Sequence, residues 1–188
     1  MNNTECIILA AGYSSRAKAN KMLLQIESKT VIERCIDTFY ASCSRIYVVG
    51  GYRMEEIKPV LSNYKNVQLV YNPYYDEGMF RSVTEGLKQI RGEQFFITPG
   101  DYPMIQKETI DKMLEREEPV IIPCYSGING HPVRIKSNLI PEILNGSFKS
   151  LCEFVTSKKP FLLEVKDIGV ITDLDDREDY NRILNMIS

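Results

Sequence analysis

The sequence has no tryptophan and a single histidine, His131, among its 188 residues. No apolar run approaches the roughly 18 residues that a membrane span takes, and the opening MNNTECIILAAG lacks the basic segment and long apolar stretch of a secretory leader. A cytoplasmic protein without a membrane partner is expected. Its five cysteines, Cys6, Cys35, Cys43, Cys124 and Cys152, form no CxxC pair and are odd in number, which argues against a disulfide framework, a zinc site or a redox motif. Reduced, packing thiols are the expectation. A net charge of −2 leaves no broad basic field for nucleic acid, so any anion must be met locally. Neither GxxxxGK[ST] nor GxGxxG is present, and no Pro/Gly/Ser linker or internal repeat divides residues 1–188 into more than one domain.

What is present is an ordinary globular composition, 44% apolar and 26% charged. Short β-branched and aromatic runs occur at 5–10, 45–50, 67–71, 94–98 and 119–123, and amphipathic helical patterns fall between them, near 31–39, 54–61, 79–90 and 109–114. This alternation implies an α/β protein, a Rossmann-like, mostly parallel sheet with helices on both faces. The last third is less regular: a strand in HPVRI at 131–135, helices near 137–144 and 147–157, a strand at 161–165, strand-like VKDIGVIT at 165–172 and a closing helix at 177–187.

Ligands of such sheets bind outside the carboxyl ends of the strands, so the segment that follows each strand carries the chemistry. After the first strand, Ala10, Ala11 and Gly12 leave the backbone open to close approach, and Arg16, Lys18 and Lys21 bring positive charge. A triphosphate fits that combination, and so does a solvated surface loop. After the fourth strand Asp101 stands in Gly-Asp-Tyr-Pro, either a ligand for Mg²⁺, which takes one or two carboxylates plus phosphate oxygens, or the polar end of an Asx turn or helix cap. Asp173 is the candidate second carboxylate. Asp175, three residues before Glu178, reads as the capping box of the last helix. His131, between Gly130 and Pro132, has no Ser or Cys motif that would make it part of a hydrolytic triad, so a hydrogen-bonding role is expected. Tyr71, Tyr74 and Tyr75 suit strand-end packing or a stacking surface equally well.

Five segments in order, LAAGYSSR with Lys21, NPYYDEGMFRSVTEG at 72–86, GDYP at 100–103, GHPV at 130–133 and DLDDREDY at 173–180, make the chain resemble the MobA-like NTP transferases, most closely their molybdenum cofactor cytidylyltransferase branch. The resemblance implies a nucleotide-diphospho-sugar transferase type of sheet in one nucleotidyltransferase domain. It implies transfer of a nucleoside monophosphate, CMP from CTP, to molybdopterin or molybdenum cofactor with release of pyrophosphate, and a molybdoenzyme or its chaperone as a protein partner. By the same resemblance Arg16, Lys21 and Asp101 are catalytic, and Asp101 and Asp173 hold Mg²⁺. Leu9, Ala10, Ala11, Gly12 and Ser14 line the nucleotide, joined by Asn72, Ser82 and Gly100. Gly78, Met79, His131 and Pro132 lie toward the acceptor. Ala17-Lys18 stands where relatives commonly carry Met-Gly, and NGSFKSL at 145–151 lacks their Gly-Asp-x-Gly. Two other functions stay open on the residues alone: transfer to another phosphorylated acceptor such as a sugar or alditol phosphate, and nucleotide or cofactor binding without turnover.

Overall fold

A computed structural model describes residues 3–11 and 20–187. In chain order the elements are β1 (Thr4–Ala10), β2 (Gln25–Ile26), β3 (Lys29–Thr30), α1 (Val31–Tyr40), β4 (Arg45–Gly50), α2 (Met54–Leu61), β5 (Val67–Tyr71), α3 (Met79–Leu87), β6 (Gln94–Pro99) and α4 (Lys107–Leu114). They continue with β7 (Val120–Tyr125), β8 (Ile128–Asn129), β9 (Val133–Lys136), α5 (Ile140–Asn145), α6 (Leu151–Ser157), β10 (Phe161–Glu164) and α7 (Arg177–Ile187). The main sheet runs β10-β7-β9-β6-β1-β4-β5, with β8 paired to β7. Strand β1 is parallel to both neighbours, as are β4 with β5 and β10 with β7, while β9 runs antiparallel between β6 and β7.

Side-chain alternation along β1 explains why both faces are covered. Cys6, Ile8 and Ala10 point into a core shared with α1, α2 and α4, and Ile7 and Leu9 into one shared with α3, α5 and α6. Each helix brings its own apolar stripe: Val31, Ile32, Cys35, Ile36 and Phe39 are the buried positions of α1, and Thr30 with Glu33 closes a reciprocal capping box at its start. On the opposite face Gly86 of α3 lies so close to β1 that a Cβ there would stand 2.7 Å from Ile7. All five cysteines are free thiols, four of them buried and Cys152 exposed.

Two expectations for the last third change. The β-branched run at 165–172 is no strand: Ile168–Ile171 forms a 3₁₀ turn. Asp167 causes it, since one oxygen accepts from Gly169 N (2.9 Å) while the other takes Gln106 N (2.8 Å) and Thr109 Oγ1 (2.7 Å) ahead of and within α4. The capping box of α7 is shifted by one residue. Asp176, not Asp175, accepts from Glu178 N and Asp179 N at 2.8 and 3.0 Å, and the Asp179 carboxylate accepts in turn from Asp176 N at 3.3 Å. Asp175 is thereby left to point elsewhere. No helix among the described residues is long and apolar enough to cross a membrane.

Candidate functional site

The parallel strands end on one rim, and two small contacts decide what meets there. Gly100 N donates to Leu9 O (2.9 Å), holding the turn after β6 alongside Ala10 and Ala11, both of them buried. A Cβ on Gly100 would meet Met22 Sδ at 3.1 Å and Ile32 Cδ1 at 3.3 Å, so the missing side chain is what admits Met22 beneath the turn. Met22 belongs to the 3₁₀ turn Lys21–Leu23, which Asn20 caps by accepting from Met22 N. With Met22 in the core, its neighbour Lys21 is delivered to the residue after Gly100.

That residue is Asp101. Lys21 Nζ lies 2.6 Å from Asp101 Oδ2 and 3.1 Å from Asp175 Oδ1. The Lys21 and Asp101 side chains retain only 15% and 16% exposure, while Asp175 retains 57%. Burial pulls the Lys21 ammonium toward its neutral form, but the carboxylates of Asp101 and Asp175 outweigh it and raise its pKa above the ordinary lysine value. Asp101 Oδ1 is buried and has no hydrogen-bond partner among the described residues. A carboxylate with one oxygen on a cation and the other unsatisfied is unusual away from functional sites.

The far end of the sequence reaches this place as a strap. Asp167 ties its start to α4, Gly169 packs so tightly on Met104 that a Cβ would stand 2.0 Å from its carbonyl oxygen, and His131 N donates to Val170 O at 2.8 Å. Leu174 N then donates to Asp101 O (2.9 Å), and the Leu174 side chain is buried with Ile26, Val31 and Ile183. Leu174 pointing inward turns its neighbours Asp173 and Asp175 outward. Burial, with Asp175, Asp101 and Asp179 nearby, raises the pKa of Asp173 against the effect of a backbone hydrogen bond. Tyr102 is pushed up to about 12 by burial and by Asp173, Asp101 and Asp175. Its ring and that of His131 meet edge to face, with centroids 4.8 Å apart. Burial lowers His131 to about 4 despite the opposing pull of Asp101, so its imidazole is neutral near pH 7, and its buried Nδ1 has no partner among the described residues.

The remaining expected residues fall in two groups. Asn72 and Ser82 are buried against one another: Asn72 Nδ2 donates to Ser82 Oγ (2.9 Å), and Asn72 Oδ1 accepts from Tyr74 N (2.9 Å). In this arrangement they fasten the loop after β5 to α3. Gly78, at φ +106°, begins α3 in a backbone region suited to glycine, and Met79 beside it is 66% exposed. Tyr71 and Tyr74 are exposed, whereas Tyr75 packs on Gly51, where a Cβ would lie 2.4 Å from Tyr75 Cβ. Pro132 follows His131 just before β9. Gly12, Ser14 and Arg16 lie outside the described residues. The partner of Lys21 that sequence reasoning missed is Asp175. Its signal was the D-L-D spacing, in which an inward leucine between two acids sends both toward solvent.

The donor set suits a hard divalent cation. Asp101 and Asp175 already converge on one positive charge, and Asp173 is close enough for both to act on its carboxyl. Among the described residues no three His, Cys, Asp or Glu side chains form a metal cage by themselves. Mg²⁺ does not need one, because it completes its shell with phosphate oxygens and water. A separate cleft of about 540 Å³, lined by Lys112, Tyr125, Ser126, Glu164, Val165 and Lys166, shares no residue with this cluster.

Comparison with known proteins agrees with the geometry. Residues 6–156 match the MobA-like NTP transferase domain. The molybdenum cofactor cytidylyltransferase of Escherichia coli K12 is 31% identical over 182 residues, covering 96% of this chain and 95% of that protein. A probable molybdenum cofactor guanylyltransferase of Aquifex aeolicus is 30% identical over 118 residues, 62% of this chain and 56% of its own. A nucleotidyl transferase from a Methanothermobacter species superposes with a TM-score of 0.83 at 22% identity, covering 99% of this chain and 98% of that one, and so shares the fold. The protein is therefore a nucleotidyltransferase belonging to the MobA-like NTP transferase family.

Proposed function

We propose that this enzyme moves CMP from CTP to a phosphorylated acceptor, molybdopterin or molybdenum cofactor, and releases pyrophosphate. One observation carries the reading: Lys21 and Asp101 are fastened together at the strand ends, next to the small residues Ala10 and Ala11, with Asp175 on the same ammonium and Asp173 near both carboxylates. In the reaction an oxygen of the acceptor phosphate attacks the α-phosphorus of CTP, a P–O bond forms, and the bond to the bridging oxygen breaks with its electron pair leaving on pyrophosphate. No protein nucleophile is required, so positioning and charge neutralisation supply the catalysis.

Each residue has a part in that reading. Leu9, Ala10, Ala11, Gly12 and Ser14 bring backbone to the nucleoside, and Gly100 keeps that approach open. Lys21 and Arg16 neutralise charge that builds on the phosphates. Asp101, with Asp175 or Asp173, would hold Mg²⁺, which when bound neutralises the phosphate oxygens and the leaving pyrophosphate. Neutral His131, its neighbour Pro132, and Gly78 with exposed Met79 face the acceptor side, and Asn72 with Ser82 fixes the loop that presents Gly78 and Met79.

The base preference rests on Ala11, whose methyl group crowds a purine more than a pyrimidine. Such a difference corresponds to about 1–3 kcal/mol, or roughly 10–200-fold in favour of CTP over GTP. The test is pyrophosphate release with CTP, GTP, ATP and UTP, each with Mg²⁺ and molybdenum cofactor. Release dependent on cofactor and greatest with CTP is expected, and Ala11→Gly should narrow the ratio by admitting GTP. A wild type that prefers GTP, or that releases pyrophosphate only with a sugar or alditol phosphate, overturns this assignment.

A further inference from the structure

The position at which the donor set would receive a divalent ion is filled by the protein's own ammonium group. Lys21 Nζ touches Asp101 Oδ2 at 2.6 Å and Asp175 Oδ1 at 3.1 Å, and Asp101 turns its other oxygen into the protein without a donor. Asp101 thus has no oxygen left facing the rim for an ion arriving alone. Any divalent cation approaching Asp101 Oδ2 also meets a like charge held within hydrogen-bond distance of that atom, in surroundings where Lys21 and Asp101 are largely shielded from water and screening is weak.

We propose that Lys21 is a tethered stand-in for the metal: its ammonium occupies the carboxylate pair until a metal–nucleotide complex arrives, and only then moves from Asp101 to the phosphates. The inference rests on the nucleotidyltransferase reading of the site and adds an order to it. The backbone is built for such an exchange. Asn20 caps the turn by accepting from Met22 N, Asn20 Nδ2 reaches Glu56 at 3.3 Å, and Met22 is buried beneath Gly100, so the Lys21 main chain stays in place while its four-carbon stem swings. The triphosphate brings the negative charge that an ammonium displaced from Asp101 needs. A free divalent ion brings none. Metal and nucleotide consequently enter together, and the nucleotide-free enzyme does not sequester divalent ions.

The test is binding of Mn²⁺, read from the paramagnetic resonance of the free ion, to wild type, Lys21→Met and Lys21→Arg, first alone and then with CTP. For Mn²⁺ alone, Lys21→Met should bind at least about tenfold tighter than wild type, and Lys21→Arg, which keeps the charge, should stay as weak as wild type. With CTP present the order should invert, with wild type retaining Mn²⁺ at least about tenfold better than Lys21→Met. A lysine that serves only to bind phosphate, or only to hold the loop, cannot give a gain in the first arm and a loss in the second. Should Lys21→Met not fold, Lys21→Gln carries the same expectation. If wild type binds Mn²⁺ with CTP but neither neutral variant binds Mn²⁺ alone more tightly, the stand-in is wrong and the nucleotidyltransferase reading survives. If Lys21→Arg gains as much as Lys21→Met, charge is not the block and the proposal again falls. If wild type retains no Mn²⁺ with any of the four nucleoside triphosphates, both fall together.

Discussion

Glu5 and Asp101 are both acids set against the central strands of one sheet, and they are treated in opposite ways. Glu5, near the start of β1, is 3% exposed, and its oxygens are fully engaged: Oε2 accepts from Arg91 N and Gly92 N at 2.6 and 2.7 Å, and Oε1 from Tyr47 Oη at 3.3 Å. Asp101, after the end of β6, has one oxygen on a side-chain ammonium and the other on no donor among the described residues. Main-chain donors cannot leave, so a carboxylate they satisfy belongs to the fold. An ammonium on a long stem can leave, and an orphaned oxygen is a destabilising choice that folding alone does not explain. On the function proposed above, the difference separates a structural acid from a functional one more sharply than burial does, since both are shielded.

The widest separation should come from the two acids themselves. Asp101→Asn is expected to lower turnover a thousandfold or more, above 4 kcal/mol in barrier, with the thermal midpoint held at its wild-type value; pyrophosphate release and calorimetry on one preparation check both. An active Asp101→Asn enzyme would erase the distinction. Glu5→Ala should do the reverse, orphaning two main-chain donors and lowering stability by about 2–4 kcal/mol in urea titration while kcat of the folded enzyme stays within about twofold. Asp167 lies between these extremes, a satisfied acid whose bonds hold the strap that carries Asp175. Asp167→Asn should lower stability by about 1–2 kcal/mol and also reduce kcat by roughly tenfold, and a stability loss with unchanged kcat would place it wholly with Glu5.

The smallest effect concerns the neutral base His131, which is only partly covered. His131 is lowered to about 4 by burial, whereas in the unfolded chain it titrates near 6.5. Below pH 6.5 the unfolded chain therefore binds a proton that the folded protein refuses, and stability is lost as pH falls from there toward 4. His131→Gln should flatten that part of the stability profile by about 1–2 kcal/mol at pH 4.5, after allowance for the part of the ring that meets solvent. Identical acid limbs for wild type and variant would show that His131 is protonated in the folded state.

The sheet was legible because parallel strands covered on both faces must be short continuous apolar runs, and IYVVG or FFIT could scarcely be anything else. Asp101 and Lys21 were legible because each follows a strand that ends on the rim. What the one-dimensional pattern hid was the partner of each polar group. The run at 165–172 has the composition of a strand, yet Asp167 closes a turn there by reaching α4, 58 residues away in sequence from Thr109. Asp175 and Asp176 are adjacent acids before a helix, and only the inward docking of Leu174 decides which of them caps and which meets Lys21. Asn72 and Ser82 stand on the nucleotide side by the family resemblance alone, and the bond between them was not legible because nothing in the sequence pairs a loop amide with a hydroxyl ten residues on.

The docking of Leu174 also has a consequence during synthesis. Lys21 and Asp175 stand 154 positions apart, and the peptide N–H that braces Asp101 belongs to residue 174. A nascent chain emerging from the ribosome can pair β1, β4, β5 and β6 and bury their aliphatic faces well before that segment has been polymerised. Throughout that interval Lys21 has one carboxylate instead of two, and the Asp101 carbonyl is without its Leu174 partner. On the function proposed above, competence for chemistry waits on this late segment, and a chain that has not yet reached it can be compact yet inert.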